Sequence, residues 1–365
     1  MRQPIVIKIG SSSLTSADGG LDEGKVAFFA SEIAGLMDRG HAPLLVTSGA
    51  VAAGFRAIGL PGRPKLLHEK QAAAAVGQAL LMKAYHEAFA RHGRTVAQLL
   101  LTRADFFDRD RVHNALMTVT ELVRRGVLPV INENDTVSVG ELKFGDNDRL
   151  SALVANLVKA ERLVIITDTD GLYTDDPRKN ADARKIDRVG EIGEELLRIA
   201  GGAGSDVGTG GMRSKIEAAR LAMRGGVPVF IGRAGEPGDL EKALRGEGKG
   251  TYFDTDLHFL PVKKQWIGFH SIPQGLIRID DGAVDALLRG GKSLLPAGVR
   301  AVDGEFHPGD VVEVADLSGA VIGRGVINYA SWQLVAVAGL SVAEAQKRID
   351  VHRPEVIHRD EWVAL

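Results

Sequence analysis

The chain of 365 residues contains no cysteine, which excludes disulfides, cysteine metal sites and thiolate nucleophiles. Its 45 Lys and Arg nearly balance its 47 Asp and Glu, and this is not the basic composition of a dedicated nucleic-acid binder. No apolar run approaches the ~20 residues of a membrane helix. The sequence begins with a strand-like pattern and not with a secretory signal. We therefore expect a cytoplasmic protein without a membrane segment.

Two familiar catalytic patterns are also missing. The dinucleotide-binding pattern Gly-x-Gly-x-x-Gly does not occur, and no pair among the ten histidines has the i, i+4 spacing of a zinc-binding helix. The sequence therefore argues against hydride transfer and zinc chemistry, and it predicts no metal ligands.

The length predicts two domains. The first two-thirds of the chain alternates short Val-, Ile- and Leu-rich runs with helical periodicities, which is typical of an α/β domain with a mostly parallel sheet covered by helices. Gly77 interrupts the longest predicted helix and indicates close packing there. The predicted strands are residues 5–9, 44–47, 96–100, 127–131, 163–167 and 227–231, and the predicted helices are residues 22–39, 68–92, 112–124, 148–159 and 212–224.

The pattern changes in the C-terminal part, where short apolar runs are separated by Gly, Asp and Pro. Such runs predict a small barrel-like β domain. The predicted strands there are residues 275–279, 299–302, 311–314, 321–327 and 333–337, with one helix at 283–289. We place the α/β domain at residues 1–255, a linker at 256–273 and the β domain at 274–365.

A long polar segment, residues 132–148, joins a predicted strand to a predicted helix and is rich in amides and carboxylates. Asn147 or Asp148 stands where a helix N-cap belongs. Ligands of α/β proteins bind at the carboxyl ends of strands, so this segment predicts a site for a small polar ligand. A solvated turn is the alternative, because Asn and Asp are common in turns.

Lysines and glycines provide a second signal. Residues 208–215 form a glycine-rich loop that opens a helix and ends in Lys215, which is a pattern suited to binding phosphate. Lys8 lies in an apolar strand and precedes Gly10, so it points either to an anion or, at a sheet edge, to solvent. Residues 47–50 and 167–177 also follow strands, and each reads as a ligand-lining loop or as a plain turn.

These features together indicate phosphoryl transfer. Two lysines and a glycine-rich helix start can neutralise a triphosphate, and an amide-rich loop suits a zwitterionic acceptor. A carboxylate acceptor with a pKa near ~4 needs no general base.

Several motifs, taken in order, resemble the glutamate 5-kinases. They are Lys-Ile-Gly-Ser at 8–11, Thr-Ser-Gly-Ala-Val-Ala-Ala-Gly at 47–54, Ile-Asn-Glu-Asn-Asp at 131–135, Phe-Gly-Asp-Asn-Asp at 144–148, Thr-Asp at 167–168, Gly-Leu-Tyr at 171–173 and Thr-Gly-Gly-Met at 209–212. The resemblance implies an amino-acid-kinase fold, an α/β/α sandwich. It also implies transfer of phosphate from ATP, with Mg²⁺, to the γ-carboxylate of L-glutamate, the first step of proline synthesis.

The resemblance also assigns roles to residues. It implies that Lys8 and Lys215 contact the ATP phosphates and that Asp148 orients these lysines. It implies further that Ser48, Asp135 and Asn147 hold glutamate, that Asn132 and Asp146 shape that pocket, and that the nucleotide is lined by Thr167, Asp168, Thr209, Gly210, Gly211, Met212, Arg213, Ser214 and Lys215. Further expectations are a homo-oligomer, dimer or tetramer, feedback inhibition by proline and hand-off of the product to glutamate-5-phosphate reductase.

The C-terminal part resembles a PUA domain in its motifs at residues 281–283, 291–296 and 309–310. PUA domains elsewhere bind RNA, so an RNA-binding module is the alternative of another class. Its basic residues are offset by acidic ones, which argues against RNA binding. Among kinases, acetylglutamate and aspartate kinases are the nearest competitors, and residues 144–148 with the PUA-like part disfavour both.

Overall fold

The computed structural model describes residues 3–138, 147–175, 180, 182–201, 211–255, 262–350 and 353–365. It divides into two compact units, the first comprising Met1–Asp105 and Asp110–Phe259 and the second comprising Phe106–Arg109 and Leu260–Leu365. Residues 256–261 lie outside the described part, so the proposed domain boundaries stay predictions. Among the described residues, no helix combines the length and apolar character needed to span a membrane.

Up to Phe253, the described residues form ten strands and nine α-helices. The strands are β1 Pro4–Ile9, β2 Ala42–Thr47, β3 Val96–Leu101, β4 Leu128–Glu133, β5 Arg162–Ile166, β6 Leu172–Tyr173, β7 Lys185–Ile186, β8 Arg188–Val189, β9 Val229–Gly232 and β10 Gly250–Phe253. The helices are α1 Glu23–Asp38, α2 Ala50–Gly54, α3 Leu67–Ala90, α4 Arg103–Phe107, α5 Arg109–Arg124, α6 Asn147–Leu157, α7 Glu194–Gly201, α8 Met212–Arg224 and α9 Asp239–Arg245. All six strands and five helices predicted for this part are confirmed within a few residues.

The large sheet has the strand order β3-β4-β2-β1-β5-β9-β10-β8. Every pair from β3 to β9 is parallel, and β10 runs antiparallel to β9. This arrangement confirms the predicted α/β fold with a mostly parallel sheet. The chain moves from β1 to β2 on one side and reaches β5 on the other side, so the strand order reverses at β1.

Alternation along β1 assigns its side chains to two faces of the sheet. Ile5, Ile7 and Ile9 belong to a core cluster with residues of α1, α3 and α9. Lys8 therefore lies on the opposite face, where α6 packs against β1 and α8 packs against α6. The layers form an α/β/α sandwich, and Lys8 faces the layer that contains α6 and α8.

The second unit contains its own five-stranded sheet with the order β12-β11-β13-β14-β15. Its elements are α10 Val262–Gln265, β11 Gly275–Ile279, α11 Asp281–Leu288, β12 Val299–Gly304, β13 Val311–Ala315, β14 Val321–Ile327, α12 Ser331–Val337, α13 Val342–Arg348 and β15 Ile357–Ala364. A separate apolar cluster, which includes Ile277, Val314 and Trp362, forms its core.

The strand predicted at residues 333–337 is wrong, because this segment is helical in Ser331–Val337. Its four consecutive apolar residues, Leu334–Val337, also suit a short buried strand. In the structure Leu334 and Val337, three residues apart, are fully buried, while Trp332 and Val335 are exposed. The side chain of Gln333 accepts a hydrogen bond from Ala330 N at 2.9 Å and supports the helix start.

Candidate active site

Four strands of the large sheet end at the same edge. Because β4, β2, β1 and β5 are parallel neighbours, Glu133, Thr47, Ile9 and Ile166 mark their carboxyl ends. The strand order reverses at β1, and ligands of open α/β sheets bind outside the carboxyl ends of the strands at such a point. The fold therefore places a crevice beside Lys8 and the loops that follow these strands.

A charged cluster centred on Asp148 lies at this point. One carboxylate oxygen of Asp148 is 2.5 Å from Lys8 Nζ, and the other is 3.1 Å from Lys215 Nζ. Ser214 donates its hydroxyl to the second oxygen at 2.6 Å. The exposed fractions are 1% for Lys8, 0% for Asp148 and 7% for Lys215. Two positive charges and one negative charge are thus held together away from water.

The position of Lys8 decides between the two readings of this residue. β1 is an interior strand, paired with β2 and β5, so Lys8 does not reach solvent at a sheet edge. A Cβ atom on Gly10 would lie 3.4 Å from Lys8 Nζ, so the glycine leaves space beside the ammonium group. The ammonium therefore meets an anion, Asp148, and the alternative of a lysine that reaches solvent at a sheet edge is wrong.

Burial alone raises the pKa of the Asp148 carboxyl group. The charges of Lys8 and Lys215 and the hydrogen bonds from Lys8 and Ser214 outweigh burial, so the pKa lies well below its ordinary value. The carboxylate is therefore ionised at neutral pH and is a weak proton acceptor. This state suits a group that orients lysines.

Two helices begin at the charged cluster. α6 begins at Asn147, so Asn147 and Asp148 occupy its first turn and neither is the residue before the helix. α8 begins at Met212 after Gly211, and Ser214 and Lys215 lie in its first turn. The free backbone N–H groups and the dipole of a helix start favour anions. Both helix starts therefore add to the positive potential of the site.

A neutral amide network lies next to the charged cluster. Asn147 Nδ2 donates to Thr47 O at 2.5 Å, to Asn132 Oδ1 at 2.7 Å and to Ser48 Oγ at 3.1 Å. These residues come from α6, from β4 and from the end of β2. The structure thus brings together three of the predicted glutamate-site residues, Ser48, Asn132 and Asn147.

Support for this network comes from α3. Tyr85 OH lies 2.7 Å from Thr47 Oγ1, and the pKa of Tyr85 is raised because its ring is fully buried, although the hydrogen bond with Thr47 opposes this effect. A Cβ atom on Gly77 would lie 1.8 Å from Ala50 O, so the glycine allows α3 to touch the backbone of α2. The predicted close packing at Gly77 is confirmed.

The predicted nucleotide-lining residues occupy two places. Thr167 and Asp168 directly follow β5, and Thr167 Oγ1 donates to Asp168 Oδ1 at 3.1 Å. Gly211, Met212 and Arg213 open α8, where Arg213 pairs at the surface with Glu217 at 3.0 Å.

Four predicted site residues need separate mention. Asp135 lies in the loop after β4 and is half-buried. Asp146, Thr209 and Gly210 lie outside the described residues. The individual roles of all the predicted site residues stay predictions.

Sequence reasoning missed Gln78 and Tyr85. Both lie on α3, and Gln78 Oε1 accepts a hydrogen bond from Asn132 Nδ2 at 2.8 Å. A single polar side chain next to the helix-interrupting Gly77 was the available signal, but it does not show which residue is contacted.

Comparisons with known proteins define the class of this fold and site. The model of the amino acid kinase family matches residues 3–233, and the model of the PUA domain matches residues 275–349. Carbamate kinase from Giardia lamblia bound to AMP-PNP superposes with a TM-score of 0.51 at 18% identity, over 70% of this chain and 99% of that chain, and shows the same fold. The chain belongs to the amino acid kinase family and carries a PUA domain.

Its relatives within this family are more specific. Glutamate 5-kinase from Geobacillus kaustophilus is 52% identical over 365 residues, which cover 100% of this chain and 98% of the relative. Glutamate 5-kinase from Bacillus cereus (strain ATCC 10987) is 50% identical over 365 residues and 100% of both chains. This similarity over the whole length groups the chain with the glutamate 5-kinases, as the sequence motifs indicated.

Proposed function

We propose that the protein transfers the γ-phosphoryl group of ATP to the γ-carboxylate of L-glutamate and forms L-glutamyl 5-phosphate, the first step of proline synthesis. Full-length similarity to glutamate 5-kinases supports this reaction. The structural observation that supports it most is the pair of buried lysines held by Asp148 at the start of α6 and α8.

The charge of the cluster suits phosphoryl transfer. Lys8 and Lys215 together outnumber the single charge of Asp148, so the site retains positive charge for phosphate oxygens. Transfer depends on positioning and on neutralising charge. The γ-carboxylate of glutamate is already ionised near neutral pH, so no residue needs to remove a proton from it.

The adjacent amide network suits the amino-acid part of the acceptor. In this proposal Ser48, Asn147 and Asp135 bind glutamate, with Asn132 and Asp146 shaping the pocket. Lys8 and Lys215 bind the transferring phosphate, and Asp148 orients them. Thr167, Asp168 and residues 209–215 line the nucleotide.

We propose that Mg²⁺ enters with ATP. The described residues contain no group of three or more His, Asp and Glu side chains able to hold a metal. Both oxygens of Asp148 already face ammonium groups. Mg²⁺ commonly keeps its waters and binds through substrate phosphates, so the ATP phosphates would hold the ion. When bound, it would neutralise part of the phosphate charge.

A homo-oligomer is the proposed assembly. Two apolar side chains one turn apart on α3, Val76 and Leu80, are each more than a third exposed. A second copy would cover such a face. Light scattering coupled to gel filtration measures the mass, and a monomer at micromolar concentration would contradict this assembly.

Three further expectations depend on the activity. Proline is proposed to inhibit by raising the glutamate concentration needed for half-maximal rate, and kinetics with and without proline tests this. The acyl phosphate product is labile, so direct use by glutamate-5-phosphate reductase is proposed. A cytoplasmic location fits such a biosynthetic enzyme.

RNA binding by the PUA domain remains disfavoured. Arg278 lies 2.9 Å from Asp303, Arg300 lies 2.6 Å from Asp280, and Lys263 lies 2.6 Å from Glu361. This pairing reduces the positive potential that RNA binding needs. A gel shift with tRNA at low salt would reveal such binding.

The proposed reaction is tested by trapping its product. The purified protein is incubated with ATP, Mg²⁺ and one amino acid, and hydroxylamine converts any acyl phosphate to a hydroxamate. We expect hydroxamate with L-glutamate and none with aspartate or acetylglutamate. ATP turnover without hydroxamate would place the phosphate on a group other than a carboxylate and would contradict the proposal.

A further inference from the structure

The amide network extends beyond the predicted glutamate site to the surface. Gln78 Oε1 accepts from Asn132 Nδ2 at 2.8 Å, and Gln78 Nε2 donates to Gln98 Oε1 at 2.8 Å. Gln78 lies on α3 and is half-buried, and Gln98 lies exposed on β3, the first strand of the sheet order. Four amide side chains therefore form one chain from Asn147 to Gln98.

Backbone groups at two points fix the direction of every amide in this chain. A carbonyl can only accept, so the atom of Asn147 that faces Thr47 O at 2.5 Å is its Nδ2. A backbone N–H can only donate, so the atom of Asn132 that faces Glu133 N at 2.9 Å is its Oδ1. The orientation of these two side chains thus follows from their partners.

The remaining orientations follow in sequence. Since Asn132 Oδ1 accepts from both Glu133 N and Asn147, the nitrogen of Asn132 must face Gln78. Gln78 must then present its oxygen to Asn132 and its nitrogen to Gln98. We call the four side chains Asn147, Asn132, Gln78 and Gln98 the amide relay. Each amide in it fixes which end of the next amide, oxygen or nitrogen, faces it.

The relay determines what Asn147 offers to a ligand. Its nitrogen is engaged by Thr47, Asn132 and Ser48, and its Oδ1 accepts no hydrogen bond from the part of the chain that the structure describes. Asn132 itself is only 2% exposed, and its Oδ1 already accepts hydrogen bonds from Glu133 N and Asn147 Nδ2. Asn132 therefore holds Asn147, and the Asn147 oxygen is the acceptor that the described residues leave available.

We propose that Gln78 is a positioning residue for the amino-acid substrate. Through Asn132, it fixes the side chain of Asn147 with the oxygen presented to a cationic donor, such as the α-ammonium group of an amino acid. This inference rests on the proposed function, since it assigns the ligand of the amide network. It predicts an effect on glutamate affinity with little effect on ATP affinity or on the transfer step.

The test is the variant Gln78→Met, which keeps the length of the side chain and removes both polar atoms of its amide group. We expect the KM for glutamate to rise about fivefold, with kcat and the KM for ATP within about twofold of wild type, because the hydrogen bond that holds Asn132 is lost. The hydrogen bond to Gln98 is lost as well, but it lies on the side of Gln78 away from Asn132. The rise in melting temperature caused by glutamate should be smaller in this variant, which reports binding without turnover. Gln346→Met, on an exposed position of α13, is the matched control.

A double-mutant cycle distinguishes a relay from general damage. Gln78 acts through Asn132, so adding Gln78→Met to Asn132→Ala should change the glutamate KM by less than about twofold. If the double variant instead raises the glutamate KM by the product of the two single-variant effects, the two residues act independently and the proposal is overturned. An unchanged glutamate KM in Gln78→Met, or an equal rise in both KM values, would also overturn it.

If Gln78→Met does not fold, Gln78→Glu decides the question. The carboxylate of this variant keeps an oxygen facing Asn132 Nδ2. Assays in about 0.5 M salt screen the negative charge that the substitution adds. We expect its glutamate KM within about threefold of wild type, and a rise as large as that of Asn132→Ala would contradict the relay. A wild-type protein that forms no glutamate hydroxamate would instead refute the proposed function.

Discussion

Two networks start from adjacent residues of one helix and differ in how they bind. Asp148 anchors the charged cluster with Lys8, Lys215 and Ser214. Asn147 anchors the amide network with Asn132 and the end of β2. Each ammonium attracts any nearby anion, whereas each amide atom is either a donor or an acceptor. The charged cluster therefore suits charge that develops during transfer, and the amide network suits recognition of one acceptor.

The same difference determines how much stability the protein loses when one side chain of either network is removed. In the charged cluster, removing one member is strongly destabilising because it leaves a buried charge without its partner. The amide network carries no net charge, so removing one of its side chains costs only the hydrogen bonds of that side chain, about 1 kcal/mol each. Substitutions in the two networks should therefore differ both in size and in the kinetic constant that they change.

The largest effect is expected from the lysines. Lys8→Ala or Lys215→Ala should lower kcat by about 10²–10³-fold and raise the KM for glutamate much less, because each ammonium neutralises charge that builds up during transfer. Hydroxamate kinetics measures both constants. Lys347→Ala, on an exposed position of α13, is the control. Near wild-type kcat in either variant would remove that lysine from the phosphate site.

The next effect concerns stability. Asp148→Asn keeps the shape of the side chain but leaves Lys8 and Lys215 buried without a counter-ion, so unfolding should require about 3–5 kcal/mol less free energy. Urea denaturation measures this difference. A change below about 1 kcal/mol would show that the cluster does not depend on the Asp148 charge.

The difference in unfolding free energy between wild type and Asp148→Asn should also depend on pH. The pKa of Asp148 is lowered in the folded state by Lys8, Lys215 and Ser214 despite burial, so its ionisation stabilises the fold above the unfolded pKa of ~3.9. The stability difference from Asp148→Asn should stay constant between about pH 8 and pH 5 and shrink as pH falls below about 4. A difference that grew in acid would have the wrong sign.

A smaller effect, on affinity alone, is expected at the substrate side. Asp135→Ala should raise the KM for glutamate roughly tenfold or more, because a hydrogen bond to a charged group is lost. The kcat and the KM for ATP should change little. Asp350→Ala, at an exposed position of the second unit, is the comparison. An unchanged glutamate KM would exclude Asp135 from the pocket.

The smallest effect is expected behind the amide network. Tyr85→Phe removes only the hydroxyl that lies 2.7 Å from Thr47 Oγ1. Because Thr47 Oγ1 still donates to Ser48 O, unfolding should need only about 1 kcal/mol less, and the glutamate KM should stay within about twofold. A large rise in that KM would assign Tyr85 to the substrate site itself.

The sequence predicts those parts of the fold in which local pattern and burial agree. β1, β2, β4 and β5 are buried on both faces, and their continuous apolar runs identify them. In contrast, β15 begins and ends with apolar residues but carries His358, Arg359 and Asp360 between them, so no strand was predicted there. The helix at Ser331–Val337 differs from the predicted strand because a short continuous apolar run suits a buried strand and a helix equally well.

The site was predictable where its residues form compact motifs along the chain. Asn147 and Asp148 stand together, and Lys215 closes a glycine-rich loop. Gln78 could not be assigned in this way, because it contacts Asn132 across 54 positions of sequence and lies in an Ala-rich helix without a polar motif. Long-range pairing of neutral side chains leaves no local pattern.

The most direct test of the account compares Lys215→Ala with Ser48→Ala in the glutamate hydroxamate assay. Ser48 accepts a hydrogen bond from Asn147 and belongs to the amide network, whereas Lys215 belongs to the charged cluster. We predict that Lys215→Ala mainly lowers kcat and that Ser48→Ala mainly raises the KM for glutamate. If both variants change the same constant to a similar extent, the division of the site into a transfer side and a recognition side is wrong.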